Sequence, residues 1–289
     1  FPEVEATGGE EALADGGTMT QQVPTGNVET NHVETLYHDI LKEARVLDPA
    51  VGSGAFLLAS QEVLLDLYIQ CIEFFQQLED EGKGWELDSR TRGELETISS
   101  GKGNTSLFAK RTIILNNLYG VDIDEGAVEI CKLRLWLSMV ADIEDEPGEV
   151  EPLPNIDFNI RQGNSLMGYV SFMDDDDTEA TQNTLLDWGA VENKVESKYS
   201  DVLDAIRSHK QASSSEIAQK NRAEAEKLID EYSCDFDKSI LERFHEMGYK
   251  EMDMDDLQEF SPFHWVLEFA EVYADGGFDV LIGNPPWDR

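Results

Sequence analysis

The sequence predicts an α/β fold: a doubly wound, mostly parallel sheet in strand order 3-2-1-4, with a helical insertion. Three stretches carry that prediction. Arg45-Val46-Leu47-Asp48 is a short apolar run that passes through Pro49-Ala50-Val51-Gly52-Ser53-Gly54 into a long helical pattern. Leu118-Tyr119-Gly120-Val121-Asp122-Ile123-Asp124 is a second apolar run, ending in acids before another helical pattern. Phe278-Asp279-Val280-Leu281-Ile282-Gly283 is a third, ending at Asn284-Pro285-Pro286-Trp287. Short apolar runs alternating with helical periods read as parallel strands joined by crossover helices.

The elements follow in order. Residues 1–25 are Gly-, Glu- and Thr-rich without a period, and are expected to be poorly ordered. A helix is predicted over about 29–43, with Val33, Leu36, Tyr37 and Ile40 on one face. Strand one covers 45–48, and its helix runs from about 55 to 79. That helix carries Glu62, Asp66 and Glu73, so it reads as a buried amphipathic helix, and no run approaches the roughly 18 apolar residues of a membrane span. Residues 80–105 are polar and Gly-rich and read as a surface excursion. Helix 106–117 leads into strand two. The next helix, about 125–140, spaces Val128, Cys131, Leu135 and Met139 on one face, with Trp136 read as core. Ile156-Asp157-Phe158-Asn159-Ile160 reads as strand three.

Roughly 110 residues separate that strand from the fourth, far more than an ordinary connection. Val191, Val195, Val202 and Ile206 recur at near-heptad spacing, and Ile217, Leu228, Ile229 and Tyr232 continue the helical theme. Phe236, Ile240, Leu241, Phe244 and Met247 suggest a further helix. The reading is a helical insertion over 171–260, between a half-domain at 26–170 and a last strand and loop at 261–289. Ser261-Pro262 opens a segment bearing Phe263, Val266, Leu267, Ala270 and Tyr273, which Gly276-Gly277 ends. In such a fold the ligand sits at the carboxyl ends of the strands, where strand order reverses, so the first and last motifs face one cleft.

The motifs suggest a chemistry. Glycines at 52 and 54 let the backbone pass close to a ligand. Asp48 repels phosphate but accepts a hydrogen bond from an ammonium group, which suits S-adenosylmethionine, a cofactor bearing an ammonium and a sulfonium. Asp122 ends strand two, where an acid accepts hydrogen bonds from ribose hydroxyls, and Asp124 caps the next helix. The Asn164 amide in Gln162-Gly163-Asn164-Ser165-Leu166 suits an adenine edge or an ordinary turn. Pro285 and Pro286 keep the last loop extended and supply no N–H, so the Asn284 side-chain oxygen and the Pro285 carbonyl accept both hydrogens of one planar amine. Trp287 offers a stacking face.

Taken together, Asp-Pro-Ala-x-Gly-Ser-Gly-Ala-Phe, Tyr-Gly-Val-Asp-Ile-Asp, Gly-Asn-Ser-Leu and Phe-Asp-Val-x-Ile-Gly-Asn-Pro-Pro-Trp resemble the motifs of adenine-N6 DNA methyltransferases. The match is to the large branch found in single-chain restriction–modification and phage-exclusion systems. The resemblance implies that Asp48, Pro49, Gly52, Gly54, Asp122, Ile123 and Asn164 contact the cofactor, and that Asn284, Pro285 and Trp287 hold a flipped-out adenine. It implies direct methyl transfer without metal, with DNA as partner and other defence-system subunits possible. Val51 stands where the family has Cys. Gly26-Asn27-Val28-Glu29-Thr30-Asn31 is the nearest match to an upstream motif and offers Thr30 as a further cofactor contact. The chain begins at Phe1 and stops at Arg289, and reads as a fragment of a longer protein.

Composition bounds the rest. Sixty acidic residues against 22 basic give a net charge of −38 in 289 residues. Phosphate neutralisation drives DNA binding, so such a charge argues either against a nucleic-acid enzyme or for a cell with molar internal salt. At about 1 M salt the Debye length is near 3 Å, and acids spread along a lysine-poor chain favour the halophilic reading. Asp174-Asp175-Asp176-Asp177 reads as a solvated loop. The three cysteines and five histidines are dispersed without metal spacing, which suggests free thiols and a cytoplasmic setting without a membrane anchor. Two other functions stay open: methyl transfer to another planar amine, such as an rRNA base or a protein glutamine, and a non-catalytic cofactor-binding scaffold. The insertion reads as a structural spacer in preference to a DNA-contacting arm.

Overall fold

The computed structural model describes residues 28–100, 105–141, 155–169, 199–209 and 215–285. Four parallel strands form one sheet in the order β3-β2-β1-β4: β1 (Val46–Asp48), β2 (Leu118–Asp122), β3 (Ile160–Gln162) and β4 (Val280–Leu281). β1 pairs with β2 from Val46↔Leu118 to Asp48↔Gly120, and with β4 at Val46↔Val280 and Leu47↔Leu281. The order reverses between β1 and β4, where an open α/β sheet forms its cleft.

Side-chain alternation sorts the core into two layers. Val46 and Leu118 face α2 (Ala55–Asp80), α4 (Thr105–Asn116) and α5 (Glu125–Val140). Leu47, Tyr119 and Val121 face Phe263, Trp265 and Phe269 on the other side. Gly120 is needed on the first face, because a Cβ there would lie 2.7 Å from Val51 Cγ2. On α5 the buried stripe is Val128, Cys131, Leu135 and Met139, as its spacing predicts, and Trp136 packs partly buried against the same layer. α2 is long and apolar enough by length and composition to cross a membrane. Here it is a core helix, with Tyr68 at 0%, Ile72 at 1% and Phe75 at 1% exposure against the sheet.

Several expectations are corrected. The first helix divides into α1 (Val28–Thr35) and a π-helical turn at Leu36–Leu41. It buries Thr30, Glu34, Tyr37, His38 and Leu41, while Leu36 and Ile40 are exposed. The reason is a polar interface: Glu34 accepts the Asp88 N–H at 2.7 Å, and His38 bonds Thr91 at 2.9 Å. Those partners lie in the supposed surface excursion, which holds a short 3-10 turn and α3 (Ser89–Ser100), anchored by buried Leu87, Leu95 and Ile98. β3 begins at Ile160 instead of Ile156, because Asn155 and Asn159 hold 155–159 as a turn. Asn155 accepts the Asp157 N–H, and Asn159 Nδ2 donates to Leu115 O at 3.0 Å and Leu118 O at 3.2 Å.

The insertion appears as α6 (residues 199–209), one continuous 32-residue α7 (Ser215–Glu246) where two helices were expected, and α8 (Met254–Glu259). Val202, Ile206, Ile229 and Tyr232 pack on Phe158, Val266 and Leu267, so it lies on the sheet's second face; Ile217 and Met247 are exposed. The 261–276 segment divides into α9 (Trp265–Glu268) and α10 (Ala270–Ala274). Despite its apolar sequence β4 is exposed, Val280 at 44% and Leu281 at 67%, because among the described residues it has a neighbour on one side alone. The expectations for 1–25, for Asp174 to Asp177, for Val191 and Val195, and for Pro286 and Trp287 lie outside the described residues.

Asn117 holds the base of the sheet together. It is 0% exposed, donates to Leu41 O at 2.7 Å and Ala44 O at 2.6 Å, and accepts the Tyr68 hydroxyl at 3.0 Å. Replacing it by Ala removes its bonds to the Leu41 and Ala44 carbonyls and to the Tyr68 hydroxyl and is expected to cost about 3 kcal/mol in urea unfolding. A loss below about 1 kcal/mol would show that the site relaxes or admits water.

Candidate active site

The glycine turn after β1 is held from three directions. Asp48 is 1% exposed; its Oδ1 accepts the Ala50 N–H at 3.1 Å, and its Oδ2 has no hydrogen-bond partner among the described residues. Burial pushes the Asp48 carboxyl above the usual carboxylate range, the Ala50 N–H opposes that, and the Asp122 charge reinforces it. Gly52, at φ +51°, donates its N–H to Asp122 Oδ2 at 2.8 Å. Asp122 Oδ1 accepts the Asp124 N–H at 3.0 Å, and Asp124 caps α5 by accepting the Ala127 N–H at 2.8 Å, as its position predicts. Each Asp122 oxygen keeps a further lone pair for an incoming hydroxyl.

Gly54 starts α2 at φ +78°, where a Cβ would lie 2.6 Å from Cys131 Sγ. Both the conformation and the space require glycine. One helical turn beyond Cys131, Arg134 donates to Ser53 O at 2.7 Å and Ser53 Oγ at 2.9 Å. Sequence reading missed Arg134. Its one signal is a position three residues after Cys131, which a periodicity search treats as ordinary helix surface.

The fourth strand arrives beside this turn. Ile282 donates its N–H to Leu47 O at 2.9 Å. A Cβ on Gly283 would lie 2.8 Å from Asp48 Oδ1 and 3.6 Å from Pro49 Cδ, so Gly283 lies against the Asp48 and Pro49 side chains at the sheet's carboxyl edge. Asn284 and Pro285 follow at once and are exposed. Beyond β2, Ile123 is 56% exposed, and its carbonyl accepts from Gln162 at 3.3 Å. Beyond β3, Asn164 is half-buried, with its Oδ1 accepting the Leu166 N–H at 3.1 Å. Asp48, Pro49, Gly52, Gly54, Asp122, Ile123, Asn164, Asn284 and Pro285 therefore share one edge of one sheet.

Thr30 does not join them. Its buried hydroxyl donates to Glu86 at 3.3 Å, beyond the C-terminal end of α2, whose N-terminal end carries the glycine turn. A helix of 26 residues is about 39 Å long at 1.5 Å per residue, which separates Thr30 from the turn. The three cysteines are free, as expected.

An open parallel sheet in this order, with a glycine turn after the first strand, an acid after the second and Asn-Pro beside the turn, is a methyltransferase domain. Residues 116–289 match the family described as the Eco57I restriction-modification methylase, and residues 26–189 match the MmeI DNA-methyltransferase domain. The chain belongs to this family of restriction–modification methyltransferases. A putative type II restriction enzyme and methyltransferase of Methanocaldococcus jannaschii is 28% identical over 90% of this chain. The type II restriction enzyme and methyltransferase RM.Eco57I of Escherichia coli is 29% identical over 43% of it. The chain spans 23% of the first relative's length and 11% of the second's.

Asp48 gives a testable trade-off. Its raised folded-state pKa means that its contribution to stability is full below the ordinary carboxylate value and is lost as pH rises through the raised one. Asp48→Asn should therefore unfold at a higher temperature than wild type at pH 7 and show a flatter pH dependence in the acid range. It should also bind a cationic ligand more weakly. An Asn variant less stable than wild type at pH 7 would contradict this account.

Proposed function

We propose that this chain is the methyl-transfer core of a restriction–modification or phage-defence protein, moving a methyl group from S-adenosylmethionine to the N6 amine of an adenine flipped out of DNA. The observation that carries the reading is the parallel pairing of β4 with β1, which brings Gly283, the residue before Asn284-Pro285, beside Asp48 and Pro49 at the entry to the glycine turn. The unmet Asp48 Oδ2 is a donor set's natural counterpart: an ammonium would satisfy it. Asp122 would hold ribose hydroxyls, while Ile123 and Asn164 would meet the adenine ring and its edge. Bound there, S-adenosylmethionine supplies an electrophilic methyl group.

The chain's own residues do the rest. Adenine N6 is a poor nucleophile because its lone pair is delocalised into the ring. Accepting its two hydrogens at Asn284 Oδ1 and the Pro285 carbonyl favours a pyramidal nitrogen and stabilises the positive charge that develops on it. Among the described residues the Asn284 amide makes no hydrogen bond, so it is available to a ligand. Holding both reactants at one sheet edge lowers the entropic part of the barrier. Trp287 would stack on the flipped base and offset part of the unpairing cost, a few kcal/mol. The charge of −38 fits a cytoplasm with high salt, where DNA repulsion is screened.

In the intact polypeptide, Asn284→Ala is expected to lower methyl transfer to duplex DNA by about 10²–10³-fold or more while cofactor affinity stays close to wild type. Isotope transfer followed by nucleoside analysis reads both the rate and the methylated atom. Wild-type activity in the variant would refute the assigned role, and transfer to ribosomal RNA or protein in place of DNA would change the substrate. The salt reading has its own measurement: the thermal midpoint should rise between about 0.1 M and about 2 M KCl as self-repulsion is screened. A flat or falling midpoint would remove it.

A further inference from the structure

The loop that carries Asn164 rests on residues 261–265, which are pinned in turn by the insertion. Asn164 donates its N–H to Ser261 O at 2.8 Å and forms an isolated parallel bridge with Pro262. Phe263 donates its N–H to Met167 O at 2.6 Å, and a Cβ on Gly168 would fall 2.0 Å from Phe263 O, so the two backbones touch. Trp265 Nε1 donates to Ser165 O at 3.3 Å. Ser261 sits at φ +50°, a conformation that is uncommon for a non-glycine residue and persists where surrounding contacts enforce it.

His264 connects this layer to α7. The ring is 1% exposed and lies between Tyr169 and Phe236, with centroids 6.0 Å and 5.1 Å away. The Tyr169 N–H donates to His264 Nδ1 at 3.3 Å, so the ring hydrogen sits on Nε2. Nε2 donates to Asp237 Oδ1 at 3.1 Å, and Gln258 Nε2 donates to Asp237 Oδ2 at 2.6 Å. Asp237 belongs to α7 and is 4% exposed, so its buried charge depends on these two donors. One chain of contacts thus runs from the middle of the insertion to the Asn164 amide.

We propose that Asp237 and His264 are positioning residues for the Asn164 loop, through which the insertion sets the protein's preference for an adenosyl ligand. The proposal rests on the methyltransferase reading above. Because Asn164 Oδ1 accepts the Leu166 N–H, the amide cannot rotate freely; among the described residues its Nδ2 makes no hydrogen bond, which leaves it a donor beside the remaining oxygen lone pair. That order matches a 6-amino group and an unprotonated ring nitrogen at position 1. A 6-oxo purine with N1–H presents the reverse order and is disfavoured while the loop holds its shape.

Calorimetry on the intact protein in high salt, with S-adenosylhomocysteine and S-inosylhomocysteine as probes, tests this. Wild type should prefer the adenosyl compound by about tenfold or more, the worth of one well-made hydrogen bond. Asp237→Leu should bring that preference near unity while inosyl affinity stays within about threefold of wild type, a change much smaller than the tenfold preference. Asp237→Asn, which keeps an oxygen for His264, should retain most of the preference. His264→Phe keeps the ring packing but removes both hydrogen bonds, and it serves as the second loss variant should Asp237→Leu not fold. Circular dichroism confirms folding in each case. An unchanged preference in a folded loss variant overturns the proposal, as does an equal loss of affinity for both probes. A wild type that binds both probes alike also overturns it, whereas one that binds neither overturns the methyltransferase reading itself.

Discussion

The parallel contact of β4 with β1 is the constraint on which the site depends. It is short, two residue pairs, and it joins parts of the chain more than 200 positions apart. Arg45 secures it at the entry. Its N–H donates to Asp279 at 2.8 Å, its guanidinium reaches Asp275 at 2.7 Å, and its carbonyl accepts the Asp279 and Val280 N–H groups at 3.0 and 3.1 Å. With the entry fixed, the period of two along a strand carries the register forward, and Gly283 must pass Asp48 with no side chain between them. The Asp48 carboxylate and the Asn284-Pro285 loop become neighbours by backbone geometry alone.

Much of this was legible in the sequence, because it follows from local rules. Glycines 52 and 54, the acids at 122 and 124, and the Asn-Pro pair each announce a turn, a cap or an extended segment without reference to the rest of the chain. The strand order follows from the doubly wound fold, in which the order reverses beside the first strand. The sites that escaped are those where polar residues are buried by distant partners. Glu34 on α1 and His38 in the π-helical turn look like surface positions until Asp88 and Thr91, at the start of α3, close over them. Ile160 is preferred over Ile156 as a strand start because Asn159 turns its amide onto carbonyls at 115 and 118.

The insertion illustrates the same divide at larger scale. Its apolar period is visible, and Ile229 and Tyr232 are buried as that period requires. Its continuity is not visible, because a break between two helical patterns and a mid-helix acid look alike in one dimension. Asp237 is that acid: it is tolerated inside α7 because His264 and Gln258 supply its hydrogen bonds from outside the helix. A spacer would need apolar packing alone. The ion pairs from Arg222 to Asp157 at 2.8 Å and from Lys132 to Asp157 at 3.4 Å, with Arg161 bonded to Glu268 at 2.7 Å, tie the same insertion and sheet edge together with charge.

β4 has a further consequence for the behaviour of the molecule in solution. It is the outer strand among the described residues, and its Val280 and Leu281 are 44% and 67% exposed. An exposed apolar rim promotes association between copies unless it is covered or charge holds them apart. The excess of 60 acids over 22 bases supplies that charge on every copy. The acids that make the molecule repel itself in dilute buffer thus also keep neighbouring copies from meeting along this rim.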